Sequence, residues 1–103
     1  MPKTAKKNPA ASPRATSFDP RVAWAVGFVV RAVREAQGVA QDQLAWDAGV
    51  DRSYYGKLER GERQPTIGLL IRVGNALGVP ASLLVEQAEI LLAEPRSRRP
   101  RRN

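Results

Sequence analysis

The chain has 103 residues, enough for one domain with a modest core and too few for two ordinary domains. It contains no cysteine and no histidine, which excludes disulfides, thiolate metal sites and imidazole-based catalysis. The net charge of +7 indicates an anionic partner, yet the excess lies in residues 1–20 (+3) and 94–103 (+4), because residues 21–93 carry eight basic and eight acidic side chains.

The N-terminal segment, residues 1–18, is rich in Pro, Ala, Lys and Ser and has hardly an apolar anchor, which predicts a disordered basic arm. Its lysine- and proline-rich start is unlike a secretory signal. No stretch approaches the roughly 20 apolar residues of a membrane span, because Arg31, Arg34 and Glu35 interrupt the most apolar segment. We therefore expect a cytoplasmic protein that makes no membrane contact.

The first helix is predicted from Pro20 to Gln37. Asp19 is a suitable N-cap, and Pro20 follows it at the first helical position, where its missing N–H would have no helical partner. Gly38 ends the helix because glycine tolerates a left-handed backbone. Apolar residues recur at mostly helical spacing, at Val22, Val26, Val29, Val30 and Val33.

Two short helices follow. The second is predicted from Gln41 to Ala48 and ends at Gly49. The third is predicted from Asp51, an N-cap candidate, to Arg60, and Gly61 ends it. Inward stripes on these two helices are formed by Leu44, Ala45, Ala48, Tyr55 and Leu58.

Two further helices complete the pattern. Pro65 and Thr66 open a fourth helix, which ends at Gly78, and a fifth is predicted from Ala81 to Ala93. No segment alternates with a period of two, so we expect an all-α domain of five helices over residues 19–94. Residues 95–103 are predicted to be an arginine-rich disordered tail. One face of the fourth helix carries Ile67, Leu70, Val73 and Leu77, and the fifth helix carries Leu83, Leu84, Ile90, Leu91 and Leu92.

The second and third helices, joined by a tight glycine turn, match a helix-turn-helix in spacing, in which the second helix of the pair can enter the major groove of DNA. The chain resembles the Cro and phage-repressor (XRE-type) family through VRAVREAQGVAQDQLAWDAGV, DRSYYGKLERGERQP and LLIRVGNALGVP. The resemblance covers roughly residues 26–84 and implies a compact, lambda-repressor-like DNA-binding domain. The second run is most similar to the branch that includes controller proteins of restriction-modification systems.

By this resemblance, the outward positions of the third helix face base edges. Arg52 is the strongest candidate, since a guanidinium can donate two hydrogen bonds to guanine. Lys57 can reach a base or a phosphate, and Tyr54 can offer its hydroxyl to a phosphate or its ring to a thymine methyl. Two alternatives stay open: Asp51 only caps the helix, and Tyr54 is partly buried. The expected base-contacting residues are Asp51, Arg52, Ser53, Tyr54 and Lys57.

Other positions are expected to contact DNA phosphates. The resemblance places Gln41 at the start of the second helix, where the family hydrogen-bonds a phosphate; the alternative is an ordinary solvated glutamine. Arg60 and Arg63 lie where the loop after the third helix approaches the backbone, and Thr66 begins the next helix, whose free N–H groups suit a phosphate. Arg34 and Glu59 match a family salt bridge that links the first helix to the end of the third.

The chain departs from the family in its apolar surface. Trp24, Phe28 and Val29 make the first helix apolar on more than one side, and Trp46 occupies a usually polar position on the second helix. A large exposed apolar surface of this kind is expected to be buried against another part of the protein or a partner. Either the fifth helix packs over it within one chain, or it joins a dimer interface.

The favoured function is a sequence-specific DNA-binding transcriptional regulator, expected to repress, which binds double-stranded DNA as a nucleoid-associated homodimer. One alternative is an antitoxin-type module with a protein partner. Another is a non-specific nucleic-acid binder driven by the tail RSRRPRRN, which could equally be only a solubilising segment. We expect no enzyme, cofactor or metal, because the sequence shows no paired carboxylates with a pocket, no nucleophile with a base and no phosphate loop.

Overall fold

The computed structural model describes residues 17–100. The predicted arm lies outside the described residues except for Ser17 and Phe18, and so do residues 101–103 of the predicted tail. Within the described part there are five α-helices and no strand, which confirms the predicted all-α class. The helices are α1 (Pro20–Ala36), α2 (Gln41–Ala48), α3 (Arg52–Glu59), α4 (Ile67–Leu77) and α5 (Ala81–Ala93).

The helix ends follow the predicted caps to within two residues. The Asp19 carboxylate accepts a hydrogen bond from the backbone N–H of Arg21, at the start of α1. The Thr66 hydroxyl accepts one from the N–H of Leu69, at the start of α4. Gly49 ends α2 with φ 69°, in the left-handed region that a glycine adopts without a Cβ clash.

One hydrophobic core unites the five helices of the described chain. α1 packs most extensively against α5 and also against α3, whereas α2 packs against α3 and α4. The two short helices, α2 and α3, therefore pack against each other and against α4 and α1 respectively, which fixes their orientation relative to the rest of the domain. The largest fully buried side chains are Val30, Leu44, Tyr55, Leu58, Glu59, Val73 and Leu84.

Two glycines allow helices to approach closely. A Cβ atom on Gly27 of α1 would overlap the carbonyl oxygen of Leu58 and lie 2.9 Å from that of Glu59. A Cβ atom on Gly74 of α4 would lie 2.7 Å from the carbonyl oxygen of Val79. The α1–α3 contact thus depends on a missing side chain, which the helical periodicity of α1 did not indicate.

The apolar surface of α1 is covered mainly within the chain, because α5 packs along it. The rings of Trp24 and Phe28 contact each other with centroids 5.7 Å apart. An open groove of about 390 Å³ remains between the two helices, with Phe28 on one wall and the half-exposed Ile90 on the other. Of the two predicted ways of covering this surface, packing of α5 is therefore observed, and it leaves part of the apolar surface of α1 open.

The start of the predicted tail forms a short turn next to the end of α5. Arg96–Arg98 form one turn of 3-10 helix after Pro95. The Arg99 guanidinium donates from Nε to the carbonyl oxygen of Glu94 (3.2 Å) and from Nη2 to that of Leu92 (2.9 Å). These bonds use carbonyls that the end of α5 leaves without helical partners, and they hold this turn against α5.

No single described helix is long and apolar enough to cross a membrane. The helices α4 and α5 reach that length and composition only as a pair, and the pair is bent by 105°. Leu70, Val73 and Leu84 of this pair are buried in the core.

Candidate nucleic-acid interface

The centre of the site is the pair α2 and α3 with its short turn. Gly49 and Val50 separate the helices, and the buried Val50 anchors the turn in the core. Asp51 then caps α3, because its carboxylate accepts a hydrogen bond of 2.9 Å from the N–H of Tyr54. The chain therefore contains a helix-turn-helix in the arrangement that the spacing predicted.

The outer face of α3 separates exposed from buried residues. Arg52 and Ser53 are exposed and Lys57 is half-exposed, whereas Tyr55 is fully buried. Tyr54 is half-buried and packs against the core. Four of the five predicted base-contacting side chains thus present accessible polar groups, since Asp51 is exposed as well, while Tyr54 is divided between core and surface.

Arg52 forms an exposed ion pair with a residue of α2. Its Nε lies 3.4 Å from Oδ1 of Asp42 on α2, and the two side chains are 78% and 62% exposed. An exposed pair of this kind contributes about 0.2–1 kcal/mol. Arg52 can therefore exchange Asp42 for a stronger acceptor at little cost.

The Asp51 carboxylate is occupied by its own helix. Its bond to the N–H of Tyr54 satisfies one of the donors that the start of α3 leaves without a helical partner. A carboxylate on the DNA side would also be repelled by phosphates. Of the two interpretations left open by the sequence, capping is the one with an observed contact.

The Arg34–Glu59 pair joins α1 to the end of α3, as the resemblance implies. Nε of Arg34 donates to Oε2 of Glu59 (2.6 Å) and Nη2 donates to Oε1 (3.0 Å), so the contact is bidentate. Both residues are buried, and Nη1 of Arg34 also donates to the carbonyl oxygen of Val39. The pair fixes α3 to the scaffold from beneath its accessible face.

Electrostatics keep both partners of this pair charged. Burial alone would raise the pKa of Glu59, but the hydrogen bonds from Arg34 and Gln41 and the positive charge of Arg34 outweigh it and lower the pKa below its ordinary value. The same carboxylate raises the pKa of Arg34. Burial raises the pKa of Tyr55, so its hydroxyl stays neutral.

Gln41 contacts this ion pair in the structure. Its Nε2 donates to Oε1 of Glu59 over 2.9 Å, and the side chain is half-buried. One of its two amide protons is thereby used inside the protein. Gln41 is therefore not an ordinary solvated residue, and only its remaining polar groups are free for a phosphate.

The predicted phosphate-contacting residues after α3 lie on the surface. Arg60 is paired with Glu62 (Nε to Oε2, 2.8 Å), which lowers the pKa of Glu62, and Nη1 of Arg63 donates to the carbonyl oxygen of Glu62. Thr66 is exposed and caps α4. Two cationic side chains and a helix start therefore follow α3 closely in the chain.

The start of α2 carries a feature that sequence reasoning missed. Ala40 is the N-cap, and it has no side-chain acceptor for the first N–H groups of the helix. Alanine is among the poorest N-cap residues, so this position was a detectable signal. Uncapped N–H groups at a helix start form a site suited to a phosphate.

These elements define a helix-turn-helix domain of the class that binds DNA through its second short helix. The helix-turn-helix family model matches residues 30–84, and the chain belongs to this family.

Relatives carry the same domain. The immunity repressor of Bacillus phage phi105 is 33% identical over 69 residues, which are 67% of this chain and 48% of the relative. The clp gene regulator ClgR of Corynebacterium glutamicum has a similar crystal structure, with a TM-score of 0.67 and 30% identity over 72% of this chain and 96% of the other.

A restriction-modification controller protein is also similar. The C.Esp1396I chain, in a tetramer bound to its 35 base-pair operator, has a TM-score of 0.61 and 29% identity over 67% of this chain and 91% of that one. The chain spans about half the length of the first curated relatives that it matches. The match to the helix-turn-helix family model over residues 30–84 confirms the family resemblance that the sequence indicated.

Proposed function

We propose that the protein is a sequence-specific DNA-binding transcriptional regulator, acting as a repressor, which places α3 in the major groove. The observation that carries this proposal is the separation of faces on α3. Its buried face is anchored by Tyr55, Leu58 and Glu59, which leaves Arg52 and Ser53 exposed on a rigid helix. A rigid helix that presents a guanidinium is suited to reading guanine.

Base reading is assigned to Arg52, Ser53 and Lys57. Arg52 leaves Asp42 and donates two hydrogen bonds to a guanine edge, and Lys57 contacts a base or a phosphate further along α3. Tyr54 is assigned a smaller part, because it is half-buried. Asp51 is assigned to capping rather than to DNA.

Phosphate contacts are assigned around this helix. The free N–H groups at the start of α2 and the remaining polar groups of Gln41 form one contact. Arg60, Arg63 and Thr66 form a second contact beyond α3. These groups orient the domain on DNA without reading its sequence.

We further propose that the regulator works as a homodimer, since one recognition helix contacts too few base pairs for a specific site. The tetrameric, operator-bound state of C.Esp1396I supports assembly on DNA as a feature of such domains. We assign no enzymatic activity to the chain and place its action on the nucleoid in the cytoplasm. Sedimentation equilibrium would show a mass of twice the chain under this proposal, and a monomer at all concentrations would contradict it.

The test is selection of bound genomic fragments in vitro at about physiological salt. The wild-type chain should recover a shared motif with two-fold symmetry, and the Arg52→Ala/Lys57→Ala double variant should lose it. Arg31→Ala is a matched control, because Arg31 is an exposed arginine of α1 that pairs with Glu35. Recovery of DNA without any motif by the wild-type chain would contradict the proposal.

A protein-binding role remains a second candidate because of Trp46. Its side chain is 82% exposed on α2, next to a shallow depression formed with Gly49 and Val50. Exposed tryptophan is typical of contact sites between proteins. Trp46→Ala should leave operator affinity unchanged and abolish partner binding if an antitoxin-type role is correct.

A further inference from the structure

A cavity of about 640 Å³ lies between the start of α1 and the C-terminal turn. This volume falls within the range of roughly 300–1,000 Å³ that small-molecule sites occupy. None of its lining residues belongs to α2 or α3, so it is separate from the proposed DNA-reading surface. The walls include Pro20, Arg21, Trp24, Arg96, Arg99 and Pro100.

Positive charge dominates this cavity. The Arg99 guanidinium is held in place by the carbonyl oxygens of Leu92 and Glu94, and these neutral acceptors leave its charge uncompensated. The Arg96 guanidinium has no hydrogen bond or ion pair within residues 17–100. Arg21 faces Asp19 at 3.4 Å in an exposed pair. Three guanidinium groups therefore stand against one carboxylate, and an anion would be stabilised there.

Apart from Ser97, the remaining walls are apolar. The half-buried indole of Trp24 contacts the ring of Phe28, and the backbone of Trp24 packs against Gly61, where an added Cβ would lie 3.0 Å from the Trp24 Cα. Pro20 and Pro100 line the cavity beside it. A fixed indole provides a flat surface for a planar ring.

We infer that this cavity binds a small anion that carries a planar ring, of the nucleoside monophosphate class. The phosphate would accept hydrogen bonds from Arg96 and Arg99, and the base would lie against Trp24. A backbone phosphate of DNA is a poorer match, because it would engage the arginines and leave the indole and proline walls unused. The inference goes beyond DNA reading and gives the domain a ligand site of its own.

The test uses the full chain with Trp46→Phe, which leaves Trp24 as the only tryptophan, since the chain has two. Its fluorescence is titrated with each of the four ribonucleoside 5′-monophosphates, with adenosine and with inorganic phosphate. At least one monophosphate should give a saturable change at a concentration about tenfold or more below that of adenosine or phosphate, because it engages both walls.

Variants of the same turn locate the site. Arg96→Ala should weaken this binding about tenfold, and Arg96→Ala/Arg99→Ala should abolish it. Arg96 is exposed, so its single replacement leaves the fold intact and keeps the test valid if the double variant unfolds. The matched control is Arg98→Ala, because Arg98 lines the groove between α1 and α5 and should not affect binding.

Three outcomes would overturn the inference. They are the absence of a saturable change with any monophosphate, equal binding of inorganic phosphate alone, and equal binding by the Arg96→Ala variant. In the first of these cases, a saturable response to a random DNA duplex would assign the arginines to the DNA-binding surface. DNA is left out of the first titrations, so failure here is distinguishable from failure of the proposed regulator function.

Discussion

Among single residues, Glu59 connects the most parts of the molecule. Its carboxylate accepts hydrogen bonds from Arg34 on α1 and Gln41 on α2, while its own backbone belongs to α3. It is 2% exposed, so each of these donors compensates a charge that water cannot reach. One side chain thereby ties three helices together behind the accessible face of α3.

The first prediction concerns this ion pair. Arg34→Met should lower the free energy of unfolding by about 3–5 kcal/mol, because it leaves the buried Glu59 charge without its main partner. The Arg34→Met/Glu59→Met double variant should lose less than the sum of the two single losses. Urea denaturation of the four proteins measures the coupling. If the stability losses of the two single variants simply add up in the double variant, Arg34 and Glu59 are not energetically coupled and the prediction is contradicted.

The second prediction follows from the lowered pKa of Glu59. A carboxylate whose pKa is lower in the folded state contributes stability above its unfolded pKa, near 4.5, and loses it as pH falls through the folded value. The wild-type chain should therefore lose stability on acidification below about pH 4.5. The stability difference between wild type and Glu59→Gln should shrink over this range. Urea denaturation at successive pH values tests it, and a constant difference would contradict it.

The third prediction separates stability from DNA binding at Ala40. Ala40→Asp supplies the missing cap of α2 and should raise the free energy of unfolding by about 0.5–2 kcal/mol. It should also weaken operator binding, because its carboxylate occupies the free N–H groups and repels a phosphate. Ala40→Asn gives a neutral cap and should weaken binding less. Unchanged affinity in Ala40→Asp would remove the start of α2 from the interface.

At the residue level, the chain alone indicates local chemistry, whereas the long-range Arg34–Glu59 pair was expected only through the family resemblance. The capping role of Asp51, left open beforehand, is visible because a cap depends only on its own helix. The partner of Gln41 could not be predicted, since the two residues are 18 positions apart and meet only after α1 has positioned Glu59. The base and phosphate assignments stay predictions.

At the level of whole helices, boundaries were predictable because glycine, proline and capping residues mark nearly all of them. Gly49 and Gly78 end their helices as expected. The 3-10 turn at Arg96–Arg98 was not predictable, because its composition favours solvent and its order depends on carbonyls of α5. Composition reflects only the residues of the segment itself, whereas this turn depends on hydrogen bonds to carbonyl oxygens at the end of α5.

The fourth prediction tests the closeness of α1 and α3. Gly27→Ala should destabilise the domain by several kcal/mol and shift α3, because its Cβ meets backbone atoms of Leu58 and Glu59. Gly68→Ala is the matched control: Gly68 lies in α4 with open space around its Cβ position. That variant should gain about 0.5–1 kcal/mol from helix propensity. Thermal unfolding compares the two, and equal melting temperatures would contradict the prediction.

For the molecule as a whole, charge is distributed unevenly. Residues 17–100 carry 11 basic and 10 acidic side chains, a net charge of +1, whereas residues 1–16 and 101–103 carry the other six basic residues and no acid. By net charge, residues 17–100 therefore contribute little general attraction for DNA. Under the proposed function, recognition by α3 and electrostatic affinity from the terminal residues are therefore separable contributions.

The fifth prediction follows from this separation. A chain limited to residues 17–100 should bind its operator more weakly at low salt and show a shallower dependence of affinity on salt. Its preference for operator over random DNA should persist, because Arg52 and Lys57 are retained. Fluorescence anisotropy over a salt series measures both quantities. Loss of the preference together with the affinity would instead favour a tail-driven, non-specific binder.

The division of α3 into an anchored face and an accessible one has a consequence for how such a regulator can change its target. Tyr55, Leu58 and Glu59 hold the helix, whereas Arg52, Ser53 and Lys57 contribute little to the core. If these three residues read bases as proposed, replacing them should create a new operator preference without a new fold. A library randomised at these three positions would yield variants that melt like the parent and select different DNA.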